Sequence, residues 1–78
     1  MVADSSLIGR VVSFNPAARY AILQFPLGLM AANGQQMFVY REGQRVGELK
    51  ISGPSRDDRT AADLQDGNCQ TGDEVRDR

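Results

Sequence analysis

Turn-forming residues interrupt this chain about every eight to twelve positions, the spacing of a small antiparallel sandwich or barrel. Asn15-Pro16, Pro26, Asn33-Gly34, Glu42-Gly43, Gly53-Pro54, Asp57-Asp58 and Asp66-Gly67 are the interruptions. Proline fixes φ and pushes the residue before it out of the helical region, while Gly and Asn tolerate positive φ. No segment between these points sustains a helical period. What remains is a set of short runs rich in β-branched and aromatic residues, which suits strands.

Six runs follow in order. Leu7 to Phe14 reads as the first strand, with Gly9 marking a bulge or a close backbone approach. Arg19 to Phe25 is the second, with Ala21, Leu23 and Phe25 on one face and Tyr20 and Ile22 on the other. Gln36 to Arg41 is the third, Val46 to Ser52 the fourth, and a tight turn with positive φ at Gly43 joins them. The fourth alternates cleanly, with Gly47, Leu49 and Ile51 on one side and Glu48 and Lys50 on the other. Arg59 to Leu64 is the fifth, after which Asp66-Gly67 turns the chain into a short last strand, Gly72 to Arg76. The connection from Pro26 to Gln35 carries Leu27, Leu29 and Met30, too apolar for a plain solvent loop, and is expected to cover one end of the fold. Within it, Gly28-Leu29-Met30 leading to Gly34 faintly echoes Gly67-Asn68-Cys69 leading to Gly72.

Length sets the next bound. Seventy-eight residues make one domain. A core of that size supplies about 3–5 kcal/mol, which leaves little for a deep, strained catalytic cleft. Residues 1–6 read as a flexible N-terminal tail, 7–76 as a single β-barrel domain and 77–78 as its C-terminal end. The expected core is Ile8, Val11, Leu23, Phe25, Met37, Val39, Leu49, Ile51, Ala62, Leu64 and Val75, with Gly47 and Gly72 serving close approach or a turn.

The residue inventory points away from catalysis. There is no His and a single Cys, so no disulfide, zinc site or His-based acid/base pair can form within the chain. Cys69 reads as a core residue and Asp57-Asp58 as solvated turn formers. The glycines match no phosphate-cradling motif. No cofactor is expected. Nine basic residues against ten acidic ones give a net charge of −1, whereas a nucleic-acid binder usually carries a basic excess. No apolar run approaches the roughly 18 residues of a membrane span, and the N-terminus has no signal-peptide core. An exported chain would show one unless this is a mature form or an excised domain.

The order of residues also resembles a known family. Gly9-Arg10-Val11-Val12, Asn15-Pro16, Tyr20 to Leu23, Val39 to Leu49 and Gly72-Asp73-Glu74-Val75 form an ordered set. It is similar to the small SH3-like barrel at the C-terminus of bacterial flagellar assembly protein T and in related bacterial envelope proteins. The likeness spans about residues 7–76, and the hairpin around Glu42-Gly43 is its most specific part. It implies an all-β, five- to six-stranded antiparallel SH3-like barrel. It also implies a non-enzymatic role in protein–protein contact or architectural support, in the bacterial envelope or periplasm.

One feature departs from that family. If Met37 and Val39 face inward, alternation sends Phe38 and Tyr40 outward. With the second and third strands paired, Tyr20, Ile22, Phe38 and Tyr40 would form one apolar patch, with Arg41 beside it. That set is the candidate partner-binding site, since contiguous apolar and aromatic surface marks interaction sites. The competing structural reading has a neighbouring segment cover it as a second small core. A protein partner is favoured. The alternatives are a single-stranded nucleic acid on an Arg-edged aromatic platform, or a second copy of the chain joined through the patch or an unprotected edge strand. The charges of the Arg41 to Val46 hairpin are expected to be solvated.

Overall fold

The computed structural model describes residues 7–26 and 31–77. Its strands are β1 (Ile8–Asn15), β2 (Tyr20–Gln24), β3 (Gln36–Arg41), β4 (Gln44–Ile51), β5 (Arg59–Gly67) and β6 (Glu74–Arg76). All neighbours pair antiparallel, and the order β1-β2-β5-β4-β3-β6 closes into a barrel as β6 meets β1. The expected fold class is the observed one. The N-terminal tail, Leu27 to Met30 and Arg78 fall outside the described residues.

Alternation builds the core. Ala21 and Leu23 of β2, Met37 and Val39 of β3, Leu49 and Ile51 of β4, Ala62 and Leu64 of β5, and Val75 of β6 all point inward and are buried. Val11 of β1, Phe25, Ala31 and Cys69 complete the cluster. Each fully buried large aliphatic side chain contributes about 1.5–3 kcal/mol. Together they set the burial pattern that fixes each strand's register.

Ile8 is the exception among the expected core residues. It is 41% exposed. Val11 points inward, so alternation turns Ile8 outward opposite Arg76, and Leu7 packs on the core instead. Three bulges interrupt the ladders, at Val12, Val46 and Gln65, each adding one residue against its partner strand.

Two strands run longer than their sequence patterns suggest. β4 begins at Gln44, because Glu42 (φ 53) and Gly43 (φ 80) alone make the turn from β3. β5 continues through Asp66-Gly67, which pairs with Gly47 and Glu48 instead of turning the chain. There Gly47 faces the main chain of Asn68, and any Cβ would collide with it. Gly72 (φ 95) makes the last turn. The barrel is tied shut by Asp77, whose N–H donates to the Leu7 carbonyl at 3.2 Å and whose Oδ2 accepts from the Leu7 N–H at 3.1 Å.

Candidate functional site

The order of strands divides the expected patch in two. β2 pairs with β1 and β5, and β3 pairs with β4 and β6, so β2 and β3 are never neighbours. They lie across the barrel from each other. Tyr20 and Ile22 therefore belong to one face, and Phe38, Tyr40 and Arg41 to another.

On the first face, the outward rows of β2 and β5 run side by side. Tyr20 stands opposite Asp63, Ile22 opposite Ala61 and Gln24 opposite Arg59. A wall rises along the far side of β5. The N–H groups of Ser52 and Gly53 both donate to the Ala61 carbonyl, at 2.9 and 3.0 Å, and the Ser55 hydroxyl bonds that of buried Thr60 at 3.0 Å. The chain then reverses at Asp57-Asp58, with Arg56 and Arg59 exchanging main-chain hydrogen bonds of 2.8 and 2.9 Å. Asp57 adopts φ 56, and half-buried Asp58 accepts the Gln24 amide at 2.7 Å instead of standing free in solvent.

The result is an open groove of about 480 Å³. Tyr20, Ile22, Pro54 and Ala61 make it apolar, while Arg56, Arg59 and Asp63 add charge. A second cleft, of about 490 Å³ and lined by Tyr40, Arg41 and Asp73, is as large but more polar, so the apolar floor and not the volume sets this groove apart.

The second face is already covered. Phe38 and Tyr40 point outward and are half-buried. The Arg45 guanidinium lies 4.0 Å from the Phe38 ring centre and 5.8 Å from that of Tyr40, and Arg76 lies 4.6 Å from the Tyr40 ring. These are cation–π distances. The Val46 bulge produces the arrangement by placing Arg45, rather than Val46, opposite Tyr40. Among the described residues, arginines of adjacent strands lie over the rings.

Arg41, whose side chain is 31% exposed, is held within the fold rather than standing free as a hairpin charge. Its Nε donates to Asp73 Oδ1 at 2.9 Å and its second nitrogen to Asp73 Oδ2 at 2.7 Å, a bidentate clamp. The same nitrogen reaches Asn68 Oδ1 at 2.9 Å. Asp73 is 6% exposed and also accepts the Gln70 N–H at 2.8 Å. Hydrogen bonding from Arg41 outweighs burial and holds the Asp73 carboxyl below the usual carboxylate range, while the Arg41 guanidinium is pushed up by the same bond. The clamp joins the β3–β4 hairpin to the turn before β6.

Cys69 packs beside it, 4% exposed, and burial followed by the Asp73 charge pushes its thiol up to about 11. A thiol so protonated is a core residue and a poor nucleophile.

Arg56, Arg59, Pro54 and Ala61 escape a reading of the sequence as site residues. The outward row Arg59, Ala61, Asp63 follows once Ala62 and Leu64 are placed inward. Its partnership with Tyr20 and Ile22 depends on the β2–β5 pairing, which no local signal announces. Among the described residues no three His, Cys, Asp or Glu side chains gather as a metal site, and no helix is long and apolar enough to cross a membrane. Comparison with protein-family models, with curated proteins and with solved structures finds no match.

Proposed function

We propose that this chain is a non-catalytic interaction module that receives an extended segment of a protein partner in the groove between β2, β5 and the wall at 52–56. The observation that carries the reading is the open apolar floor of Tyr20, Ile22, Pro54 and Ala61 beside charged rims. β2 and β5 hold Tyr20, Ile22 and Ala61 of the floor, which limits the ordering cost of binding. The resemblance of the Val39 to Leu49 hairpin and the Gly72 to Val75 segment to bacterial envelope barrels supports placing the module in an envelope assembly.

Stacked guanidiniums occupy the ring faces of Phe38 and Tyr40, which weighs against base stacking there. Among the described residues every strand has a neighbour on both sides, which weighs against assembly by strand addition.

The test is selection of binders from a displayed random-peptide library, followed by amide-shift mapping on the isotopically labelled chain. Selected peptides are expected to move the amides of Ile22, Ser52 and Ala61 and to lose affinity in Tyr20→Ala. Shifts confined to β3, β4 and β6, or enrichment of no peptide, would overturn the reading.

A further inference from the structure

Two arginines share one end of the groove, and among the described residues neither forms an ion pair. Arg56 and Arg59 form a cross-strand pair that exchanges both main-chain bonds, so their Cα atoms lie about 5.5 Å apart and their side chains leave on the same side. Both line the groove. Among the described residues neither side chain forms an ion pair or a hydrogen bond, whereas Arg41 and Arg76 are paired with Asp73 and Glu74. Asp58, in the turn between them, accepts the Gln24 amide instead. Like charges directly opposite each other in an antiparallel pair are destabilising. The arrangement becomes favourable when an anion joins them.

The rest of the groove says what kind of anion. From Arg59 to Asp63 the outward row of β5 spans about 13 Å, the length of four extended residues. Beyond the arginines the floor is Ile22, Ala61 and Pro54, and the far end carries Tyr20 and Asp63. A polyphosphate chain would meet Asp63 and the apolar floor. A short peptide with one carboxylate at the arginine end would match both.

Resting on the proposed peptide-binding groove, we infer that its ligand is an extended segment with an acidic residue held by Arg56 and Arg59 and apolar side chains laid over Ile22, Ala61 and Pro54. Planar guanidiniums suit this role because each presents forked donors to a carboxylate.

The test uses the full chain and four blocked five-residue peptides built on leucine and alanine. Two carry a glutamate at the first or the last position, and two carry glutamine there. Affinities come from amide-shift titrations. One glutamate peptide is expected to shift the groove amides and to bind about tenfold more tightly than its glutamine counterpart. That ratio should fall to about one in the double variant Arg56→Gln, Arg59→Gln, with the glutamine peptide's affinity unchanged, and should persist in Arg45→Gln on the opposite face. Equal affinities for glutamate and glutamine peptides, with shifts in the groove, would overturn the carboxylate assignment and leave the groove standing. Absence of groove shifts with all four peptides would overturn the groove itself. Inorganic phosphate or a thymidine oligomer binding at Arg56 and Arg59 as tightly as the glutamate peptide would reassign the pair to phosphate.

Discussion

Gly9→Ala tests how closely the barrel is packed where β1 crosses the end of β2. A Cβ at Gly9 would stand 2.5 Å from both Cδ1 and Cε1 of Phe25 and 2.7 Å from the Gln24 carbonyl oxygen. Ordinary carbon–carbon contact is about 3.5–4.0 Å, so the neighbours must withdraw by about 1 Å. They have little freedom to do so. Phe25 is 2% exposed and packs in the core, and Gln24 is held in the β1–β2 ladder opposite Arg10. Gly9 does not adopt a positive φ, so the penalty is steric and not conformational. Overpacking of this kind costs about 1–3 kcal/mol. A core of this size supplies about 3–5 kcal/mol, so the loss is a large fraction of it. The thermal midpoint, followed by circular dichroism, should fall by about 5–20 °C. Phe25→Leu in the same chain removes part of the obstacle, so the two changes should couple by about 0.5 kcal/mol or more in a double-mutant cycle. Gly34→Ala serves as contrast. Nothing lies within 4 Å of its Cβ position, but its φ is 86, so its cost of about 1–2 kcal/mol arises from the backbone and should not couple to Phe25. A Gly9→Ala midpoint within about 1 °C of the parent, or strict additivity with Phe25→Leu, would refute the steric argument.

Two further predictions concern the cluster at the hairpin base. The folded state lowers the Asp73 pKa, so its stabilisation is fully present above the unfolded value near 3.8 and is lost as pH falls through the folded value. Asp73→Asn should therefore have a lower urea midpoint than the parent at neutral pH, with the gap narrowing below about pH 4; a gap independent of pH would sink the clamp as its cause. Cys69 rises from 9.0 to about 11, which leaves ~100-fold less thiolate well below both values. Iodoacetamide at mild alkaline pH should alkylate the folded chain at least that much more slowly than the chain in urea, and comparable rates would show that the thiol is not enclosed.

What the sequence makes legible is the inside of the barrel. Met37 and Val39, Leu49 and Ile51, Ala62 and Leu64 alternate with polar or aromatic neighbours, so their inward direction follows from the two-residue period of a strand. The Glu42-Gly43 turn is equally local. The order of strands around the barrel is not. Pairings such as β2 with β5 and β1 with β6 join distant segments, and closure of the whole sheet selects them. Adjacent strands in sequence usually pair, and that expectation wrongly joins Tyr20 and Ile22 to Phe38 and Tyr40. Bulges hide a second part of the answer. Each shifts parity by one residue without interrupting the hydrophobic pattern, so the placement of Arg45 against Tyr40 emerges only from the ladder.

The arginines show why residue type alone could not locate the site. Arg41, Arg45 and Arg56 each lie in or beside a hairpin, yet what stands opposite each one gives it a different role. Arg41 meets a buried carboxylate and becomes part of the framework. Arg45 meets two rings and covers apolar surface that would otherwise face water. Arg56 stands opposite Arg59, and among the described residues its side chain forms no ion pair. An acidic residue at either position would form a cross-strand pair worth about 0.2–1 kcal/mol, and the chain forgoes it. Local choices that work against stability, set in a fold whose other choices agree, are characteristic of functional sites. The groove beside Tyr20 and Ile22 is where this barrel makes such a choice, and that is the physical support for the proposed site.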